Sequence, residues 1–170
     1  MLVGQPRELT TARLTLRPIS IEHAPAFWEV LRDPSMYAWI ERAPPAAPSD
    51  VEARFARIAQ SVAPSRAEQW LNWTVWTRDG DEAVGVIEAT VQPTNVVQVA
   101  YLFAPRVWGR GFAREAMSVA LDAMSQSGAS AFEARIDTRN VRSLALIERL
   151  GFALVETRET EMEAIWRRHG

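Results

Sequence analysis

The 170-residue sequence contains no cysteine and no lysine, and it has only two histidines. The missing cysteines exclude disulfides, thiolate zinc sites and a cysteine nucleophile. The missing lysines exclude a Schiff-base enzyme and a phosphate-binding P-loop, whose motif requires lysine. The histidines, His23 and His169, are too few and too far apart for a typical metal cluster, so we predict that the protein uses no metal.

An excess of one charge and a long apolar run are also missing. The 19 basic and 21 acidic residues give a net charge of −2, a balance that argues against a general nucleic-acid binder. No apolar run approaches the roughly 18 residues of a membrane helix, and the N-terminal stretch lacks the apolar region of a signal peptide. We therefore expect a cytoplasmic protein with neither a nucleic-acid nor a membrane partner. Residues 1–170 would form one domain, with a core over about 13–168.

The spacing of apolar residues predicts an α/β fold in the order β-α-α-β-β-β-α-β-α-β-β. We expect a mixed, mostly antiparallel sheet with a central, right-handed crossover in which a helix joins two parallel strands. The predicted strands are 12–19, 72–77, 83–91, 96–103, 131–137, 152–157 and 161–168. The predicted helices are 20–32, 49–62, 109–127 and 140–150.

Three local signals refine this pattern. Asp79-Gly80 predicts the turn of a hairpin. Residues 49–52 have the sequence of a capping box, which predicts a helix start. Packing within the sheet is the favoured role of Trp70, Trp73 and Trp76.

The segment FAPRVWGRGFAREA, residues 103–116, places a glycine-rich turn between a predicted strand and a predicted helix. The first N–H groups of a helix have no intrahelical partner, and the helix dipole makes that end positive. Gly109 and Gly111 would let a phosphate approach the backbone closely, and Arg106, Arg110 and Arg114 could add positive charge. The segment predicts an anion site, although an ordinary strand-to-helix turn would use the same glycines. A dinucleotide fingerprint is disfavoured, because Arg114 stands in place of its third glycine.

A second segment, NVRSLALIERLGF, covers residues 140–152. Asn140 can cap its helix, with Ser143 in the first turn, and capping alone would explain that asparagine. Gly151 is expected just after the helix end, with Phe152 anchored in the core.

Together the two segments resemble the GNAT superfamily of acyl-CoA-dependent N-acetyltransferases. Taken with ARLTLRPI at residues 12–19, the sequences of these segments are most similar to the branch that contains the ribosomal-protein N-terminal acetyltransferases. In element order the resemblance extends from about Arg13 to Trp166. It implies an enzyme that uses acetyl-CoA as cosubstrate and transfers the acetyl group directly to a primary amine.

The resemblance also implies how the cofactor is held. The diphosphate would lie on backbone N–H groups from Trp108 to Ala113, although Trp108 replaces the Gln or Arg of most members. The pantetheine arm would pair with the strand end at 101–103, where a backbone N–H would polarise the thioester carbonyl. Asn140 matches the asparagine that contacts the pantetheine or the reacting centre. The implied cofactor-binding residues are Tyr101, Leu102, Phe103, Trp108, Gly109, Arg110, Gly111, Phe112, Ala113, Arg114 and Asn140.

For catalysis, many members protonate the leaving thiolate with a tyrosine four residues after the position of Ser143. This chain has Ile147 there, so we expect Ser143 to replace it, through its hydroxyl or a bound water. Glu88, an acid between apolar neighbours on a predicted strand, is the first candidate for the general base. Asp137, Glu41 and a chain of waters are the alternatives. The predicted catalytic residues are Ser143, Glu88 and Asn140.

The resemblance places the acceptor beside the connection 34–48 and the strand 161–168. These segments carry the aromatic and charged residues Tyr37, Trp39, Arg42, Glu161, Glu163 and Trp166. Such residues suit a cationic amine with apolar surroundings, for example a peptide N-terminus. A small-molecule acceptor (amino acid, polyamine or antibiotic) remains open, as does a non-catalytic acyl-CoA-binding module, which Ile147 favours. A homodimer is also open.

Overall fold

The computed structural model describes residues 6–60 and 68–170. The helices are α1 (Ala24–Leu31), α2 (Pro48–Gln60), α3 (Phe112–Gln126) and α4 (Val141–Arg149). The strands are β1 (Leu9–Thr10), β2 (Leu14–Pro18), β3 (Gln69–Trp70), β4 (Trp73–Thr77), β5 (Ala83–Val91), β6 (Val96–Phe103), β7 (Ala131–Asp137), β8 (Ala153–Arg158) and β9 (Glu163–His169).

The strands form one sheet in the order β1-β2-β4-β5-β6-β7-β9-β8, and β3 pairs with β5 outside this path. Its pairs are antiparallel, except that β6 and β7 run parallel and are joined through α3. This confirms the predicted α/β fold with its parallel crossover. Strands β1 and β3 were not predicted, because two residues are too few to show an alternation.

The predicted helical stripes form the core. Six α3 side chains are buried: Phe112, Ala116, Met117, Ala120, Leu121 and Met124. Phe27 of α1 packs between Phe55 of α2 and Trp76 of β4, with ring centroids 5.8 and 5.2 Å apart. Trp73 is also buried, and Trp70 packs partly buried against the core, which confirms that the tryptophan series packs the sheet.

The predicted helix starts at Ser20 and Ser49 are wrong. Ser20 caps a 3-10 turn, Ile21–His23, and α1 begins only at Ala24. Helix α2 begins at Pro48, which is suited to a first turn because it lacks an N–H group. The Asp50 carboxylate accepts hydrogen bonds from the N–H groups of Ala46 and Ala47, so Asp50 rather than Ser49 satisfies this helix end. The predicted end of α2, with Val62, lies outside the described residues.

The hairpin between β4 and β5 and the ends of α3 and α4 lie where the sequence predicts them, although the left-handed residue of the hairpin is a different one. The β4–β5 hairpin contains Asp79-Gly80, but its left-handed residue is Asp81, at φ 50°. Five residues separate the two strands, and Thr77 N–H donates to the Glu82 carbonyl across the loop at 2.9 Å. Gly128 and Gly151 follow α3 and α4 with φ 100° and 83°, as the sequence predicted for helix ends.

Candidate active site

Strands β6 and β7 open into a cleft. Among the described residues they pair only through Val96–Ala131, Val97–Phe132 and Gln98–Glu133. Beyond these pairs both strands continue, and residues 99–103 of β6 and 134–137 of β7 line a cleft of about 680 Å³. Since β6 is no longer paired with β7 here, backbone N–H and C=O groups along this edge are available to an extended ligand, except the Phe103 carbonyl, which accepts a hydrogen bond from Trp108 Nε1.

The glycine-rich loop lines this cleft. Gly109 and Gly111 have φ 75° and 78°, and α3 starts directly after them. The first hydrogen bond of the helix runs from Glu115 N–H to the Gly111 carbonyl at 3.0 Å. The N–H groups of residues 112–114 therefore have no hydrogen-bond acceptor within the helix.

The space above the loop is open. A methyl group built on Gly109 would touch nothing within 4 Å, and one on Gly111 would meet only Arg13 Nη2 at 3.5 Å. Unpaired N–H groups, a positive helix end and open space together fit a diphosphate.

An ion pair between Arg13 and Glu115 holds this loop in place. The Glu115 carboxylate accepts hydrogen bonds from Thr11 Oγ1 at 2.6 Å, Arg13 N at 3.0 Å and Arg13 Nε at 2.7 Å. Arg13 also donates from Nη1 to the Arg110 carbonyl at 3.0 Å, and its guanidinium lies over the Phe112 ring. No local pattern indicates this cluster, because Glu115 lies 104 residues from Thr11 and 102 from Arg13 along the chain.

Trp108 is held at the mouth of the loop. Its indole Nε1 donates to the Phe103 carbonyl at 2.7 Å, and the Arg142 guanidinium lies 4.0 Å above its ring. Arg142 was not among the predicted site residues. Of the three loop arginines that the sequence suggested, Arg114 lines the cleft. Arg106 donates to the Ala83 carbonyl and Arg110 stacks on Phe112 instead.

The start of α4 faces the open end of β6. Asn140 Oδ1 accepts the N–H of Ser143 at 3.2 Å, as predicted for a helix cap. The Tyr101 hydroxyl lies 3.5 Å from the Ser143 carbonyl, and all three residues line the cleft. Burial raises the pKa of Tyr101, so the phenol is neutral and acts as a donor. Ile147 is fully buried and outside the cleft lining.

The candidate general bases lie in different surroundings. Glu88 is outside the cleft lining, where its carboxylate pairs with the Arg54 guanidinium and with Arg42 at 3.4 Å. Asp137 lines the cleft, but hydrogen bonds from the Arg139 side chain lower its pKa to about 2. Glu41 is exposed and outside the cleft lining. The structure does not bring these three carboxylates together.

The cleft lining also includes an apolar rim, defined here as Trp39, Ile40 and Val141. These three side chains are 40%, 41% and 74% exposed. Arg139 lies 5.0 Å from the Trp39 ring and so connects the loop before α4 to the connection after α1. Tyr37, predicted for this region, instead donates to the Leu31 carbonyl inside the core.

The acids predicted near the acceptor, Glu161 in the 3-10 turn before β9 and Glu163 at its start, lie outside this lining. One oxygen of Glu163 is buried and lies 3.5 Å from Arg158 Nη1. It accepts no hydrogen bond within the described part of the chain. Glu163 pairs across the sheet with the cleft residue Asp137.

Two properties concern residues 6–60 and 68–170 as a whole. Every helix in these ranges is too short or too polar to span a bilayer. Within the same ranges, no group of three or more His, Asp or Glu side chains is arranged to hold a metal ion.

Comparisons with known proteins agree with this geometry. The family described as "Acetyltransferase (GNAT) domain" matches residues 13–153. The N-acetyltransferase p20 of Bacillus licheniformis is 24% identical over 147 residues, which cover 85% of this chain and 81% of p20. Protein YkkB of Bacillus subtilis is 24% identical over 54% of this chain, and the match spans 63% of YkkB.

Solved structures share the fold. The ribosomal-protein alpha-N-acetyltransferase RimL superposes with a TM-score of 0.83 at 13% identity, covering 100% of both chains. A GNAT-family acetyltransferase from Bacillus anthracis has a TM-score of 0.78 at 15% identity, covering 95% of this chain and 98% of its own. With the family match over most of its length, this chain belongs to the GNAT acetyltransferase family.

Proposed function

We propose that this protein transfers an acetyl group from acetyl-CoA directly to a primary amine, and that the acceptor is the N-terminus of a peptide or protein. The observation that carries the proposal is the cleft between β6 and β7, whose lining combines the glycine-rich loop before α3 with the exposed apolar side chains of Trp39, Ile40 and Val141. RimL, which shares the fold, is named for acetylation of a protein α-amino group.

The cleft supplies the groups that the two halves of the reaction need. The loop 108–113 would hold the cofactor diphosphate, and the open edge of β6 at 101–103 would hold the pantetheine arm and polarise the thioester carbonyl. The amine nitrogen then bonds to the acetyl carbon and the carbon–sulfur bond breaks. With no cysteine in the chain, the acetyl group would pass to the amine without a cysteine-bound intermediate.

Two protons must move during transfer. Ser143 would protonate the thiolate, through its hydroxyl or a bound water, because it lines the cleft at the helix start where Asn140 fixes its backbone. The proton released by the ammonium would leave through water. This route is favoured over Glu88, whose carboxylate is occupied by two guanidinium groups, and over Asp137, whose low pKa makes it a weak proton acceptor.

The rim of the cleft supports a peptide acceptor. Trp39, Ile40 and Val141 expose apolar surface in the cleft lining, which suits the first side chains of a peptide. The same rim would contribute little to a small polyamine or an aminoglycoside, because these ligands carry charge along their length.

The test is calorimetric titration with acetyl-CoA, followed by an acetylation assay on peptides with free N-termini and on small amines. NAD and ATP serve as controls for general phosphate binding. We expect micromolar binding of acetyl-CoA alone and faster acetylation of peptides. Acetyl-CoA binding without turnover on any amine would favour a non-catalytic module, faster turnover of small amines would overturn the peptide assignment, and no binding would overturn the proposed function.

Replacing Arg13 by glutamine should weaken acetyl-CoA binding five- to tenfold while leaving kcat at saturating cofactor unchanged. The substitution removes the hydrogen bonds from the Arg13 guanidinium to Glu115 and to the Arg110 carbonyl, so the loop loses the side-chain contacts that Arg13 makes with it. Titration and saturation kinetics measure the two effects. Arg17→Gln is the matched control, since Arg17 lies four residues farther along, on β2, and pairs with Asp81 instead; equal losses in both variants would contradict a role at the loop.

Replacing Glu88 by glutamine should destabilise the fold by about 2 kcal/mol, because it leaves the Arg54 guanidinium without its counter-charge. Burial lowers the pKa of Arg54 to about 10, which still leaves this group charged at neutral pH. We expect the pH dependence of kcat/KM to stay as in the wild type. Loss of its acidic limb would instead identify Glu88 as the general base. Glu156→Gln, at an exposed pair with Arg158, should change stability by less than about 0.5 kcal/mol.

A further inference from the structure

A half-buried cluster of two arginines and one glutamate borders the cleft on the side of α2. The Glu88 carboxylate of β5 pairs with Arg54 of α2 and with Arg42 of the connection between α1 and α2. Within the described part of the chain, neither arginine pairs with a second carboxylate. Because one negative charge serves two positive ones, the cluster carries a surplus of positive charge.

The two arginines of this cluster are held differently. Arg54 donates to Glu88 Oε1, and its side chain is only 16% exposed. Arg42 reaches the two carboxylate oxygens at 3.4 Å, which is longer than the roughly 2.7–2.9 Å of a charge-assisted hydrogen bond. The Arg42 side chain is also 41% exposed. Glu88 is therefore the partner of Arg54, whereas Arg42 keeps donors for another acceptor.

The surplus charge is partly removed from water. Burial, and after it the positive charge of Arg42, lowers the pKa of Arg54 to about 10. Burial also lowers the pKa of Arg42. Both guanidinium groups remain protonated at neutral pH, because arginine does not lose its proton in proteins. A cation in such surroundings is stabilised by an anion that makes short hydrogen bonds to it.

The position of Arg42 connects this charge to the cleft. Glu88 pairs across the sheet with Ala100 of β6, which is exposed and lines the cleft. Such paired residues share a face of the sheet, with their Cα atoms about 5 Å apart. Ile40 and Trp39 of the apolar rim precede Arg42 by two and three residues in the same connection. An acceptor that lies on this rim would therefore have Arg42 within reach.

We propose that Arg42 binds a carboxylate of the acceptor, and that the enzyme therefore prefers peptides with an acidic side chain in the first residues after the amine. The inference rests on the proposed function, since it assumes that a peptide N-terminus enters the cleft. An extended peptide advances about 3.3 Å per residue, so an Asp or Glu at its second or third position can reach a guanidinium one strand away from Ala100. Arg54 would keep Glu88 in place while Arg42 turns to the incoming carboxylate.

The experiment measures kcat/KM for C-terminally amidated peptides that carry one Asp, Asn or Lys at the second or the third position. Asn has nearly the shape of Asp without its charge, and the terminal amide removes the other carboxylate of the peptide. We expect the wild type to favour Asp over Asn by about tenfold or more at one of the two positions, as charge-assisted hydrogen bonds allow. The gain should lie in a lower KM with a similar kcat, and Lys at that position should be acetylated more slowly than Asn.

Variants of Arg42 test whether this residue is the origin of the preference. Arg42→Gln should reduce the Asp-to-Asn ratio below about twofold, while Glu88 remains paired with Arg54. Arg42→Lys keeps the charge but loses the fork of the guanidinium, so it should retain a ratio of about threefold. The dissociation constant of acetyl-CoA, measured by calorimetry, should be unchanged in both variants, which also shows that they are folded.

Arg32→Gln is the matched control, because Arg32 directly follows α1 but pairs with Glu29 on the exposed surface. It should keep the wild-type ratio. Equal rates with Asp and Asn in the wild type, an unchanged ratio in Arg42→Gln, or an equal loss in Arg32→Gln would overturn the carboxylate site while leaving acetyl transfer to peptides intact. If the wild type binds acetyl-CoA but acetylates no peptide of the set, the proposed peptide acceptor is wrong, and this inference is wrong with it.

Discussion

Replacing Gly111 by glutamate should weaken acetyl-CoA binding more than 100-fold. Gly111 has φ 78° directly before α3, where an L-residue costs about 1–2 kcal/mol. The new carboxylate would also occupy the positive helix end that is proposed for the diphosphate, and it would repel that group. Calorimetric titration measures the loss, and thermal unfolding checks that the variant is folded.

Two further variants separate the causes of this loss. Gly111→Ala introduces the backbone strain without the charge, and it should weaken binding by less than the glutamate variant. Gly128→Glu is the matched control at the opposite end of α3, with φ 100° and open space around it. It carries the same strain and charge away from the cleft and should bind acetyl-CoA as the wild type does. Normal binding by Gly111→Glu would show that the diphosphate lies elsewhere.

Replacing Ser143 by alanine should lower kcat by roughly 10- to 100-fold, within the range of a lost general acid or just below it. The dissociation constant of acetyl-CoA should stay nearly unchanged, because the Asn140 cap holds the Ser143 backbone rather than its side chain. Single-turnover kinetics with saturating acceptor would measure the chemical step apart from product release.

Two control variants test whether the Ser143 hydroxyl itself is responsible for the lost rate. Ser143→Thr retains a hydroxyl at the same position and should recover a large part of the lost rate. Ser127→Ala removes a serine hydroxyl at the exposed end of α3 and should leave kcat unaltered. If Ser143→Ala turns over at the wild-type rate, a water molecule bound by other groups protonates the thiolate, and the serine acts only as a residue of the first helical turn.

Much of the fold followed from local pattern. The 3.6-residue spacing in α3 predicted its buried stripe, and Asn140 and Gly151 marked the two ends of α4. These signals are readable because burial and capping act over a few neighbouring residues. Helix starts at Ser20 and Ser49 were misplaced because several nearby side chains can satisfy the same N–H groups, and only the folded chain selects among them.

The features of the candidate site also differ in how far they follow from local sequence. The glycine-rich loop was predicted in sequence, since a turn between a strand and a helix already places N–H groups together. The ion pair that occupies Glu88 joins residues 34 positions apart, and the contact of Tyr101 with Ser143 joins residues 42 apart. Neither of these two contacts produces a periodic pattern in the sequence, so neither could be predicted from it.

By itself, the sequence determined the class of the fold, the family and the position of the glycine-rich loop before α3, because each depends on neighbouring residues or on a local motif. Only the tertiary structure decided which charges are free. It pairs Glu88 with Arg54 and Asp137 with Arg139, and it leaves Arg114, Arg142 and Arg149 without carboxylate partners in the described part of the chain. The physical reason is that an ion pair depends on the distance between two side chains, which the register of the sheet and the packing of the helices set.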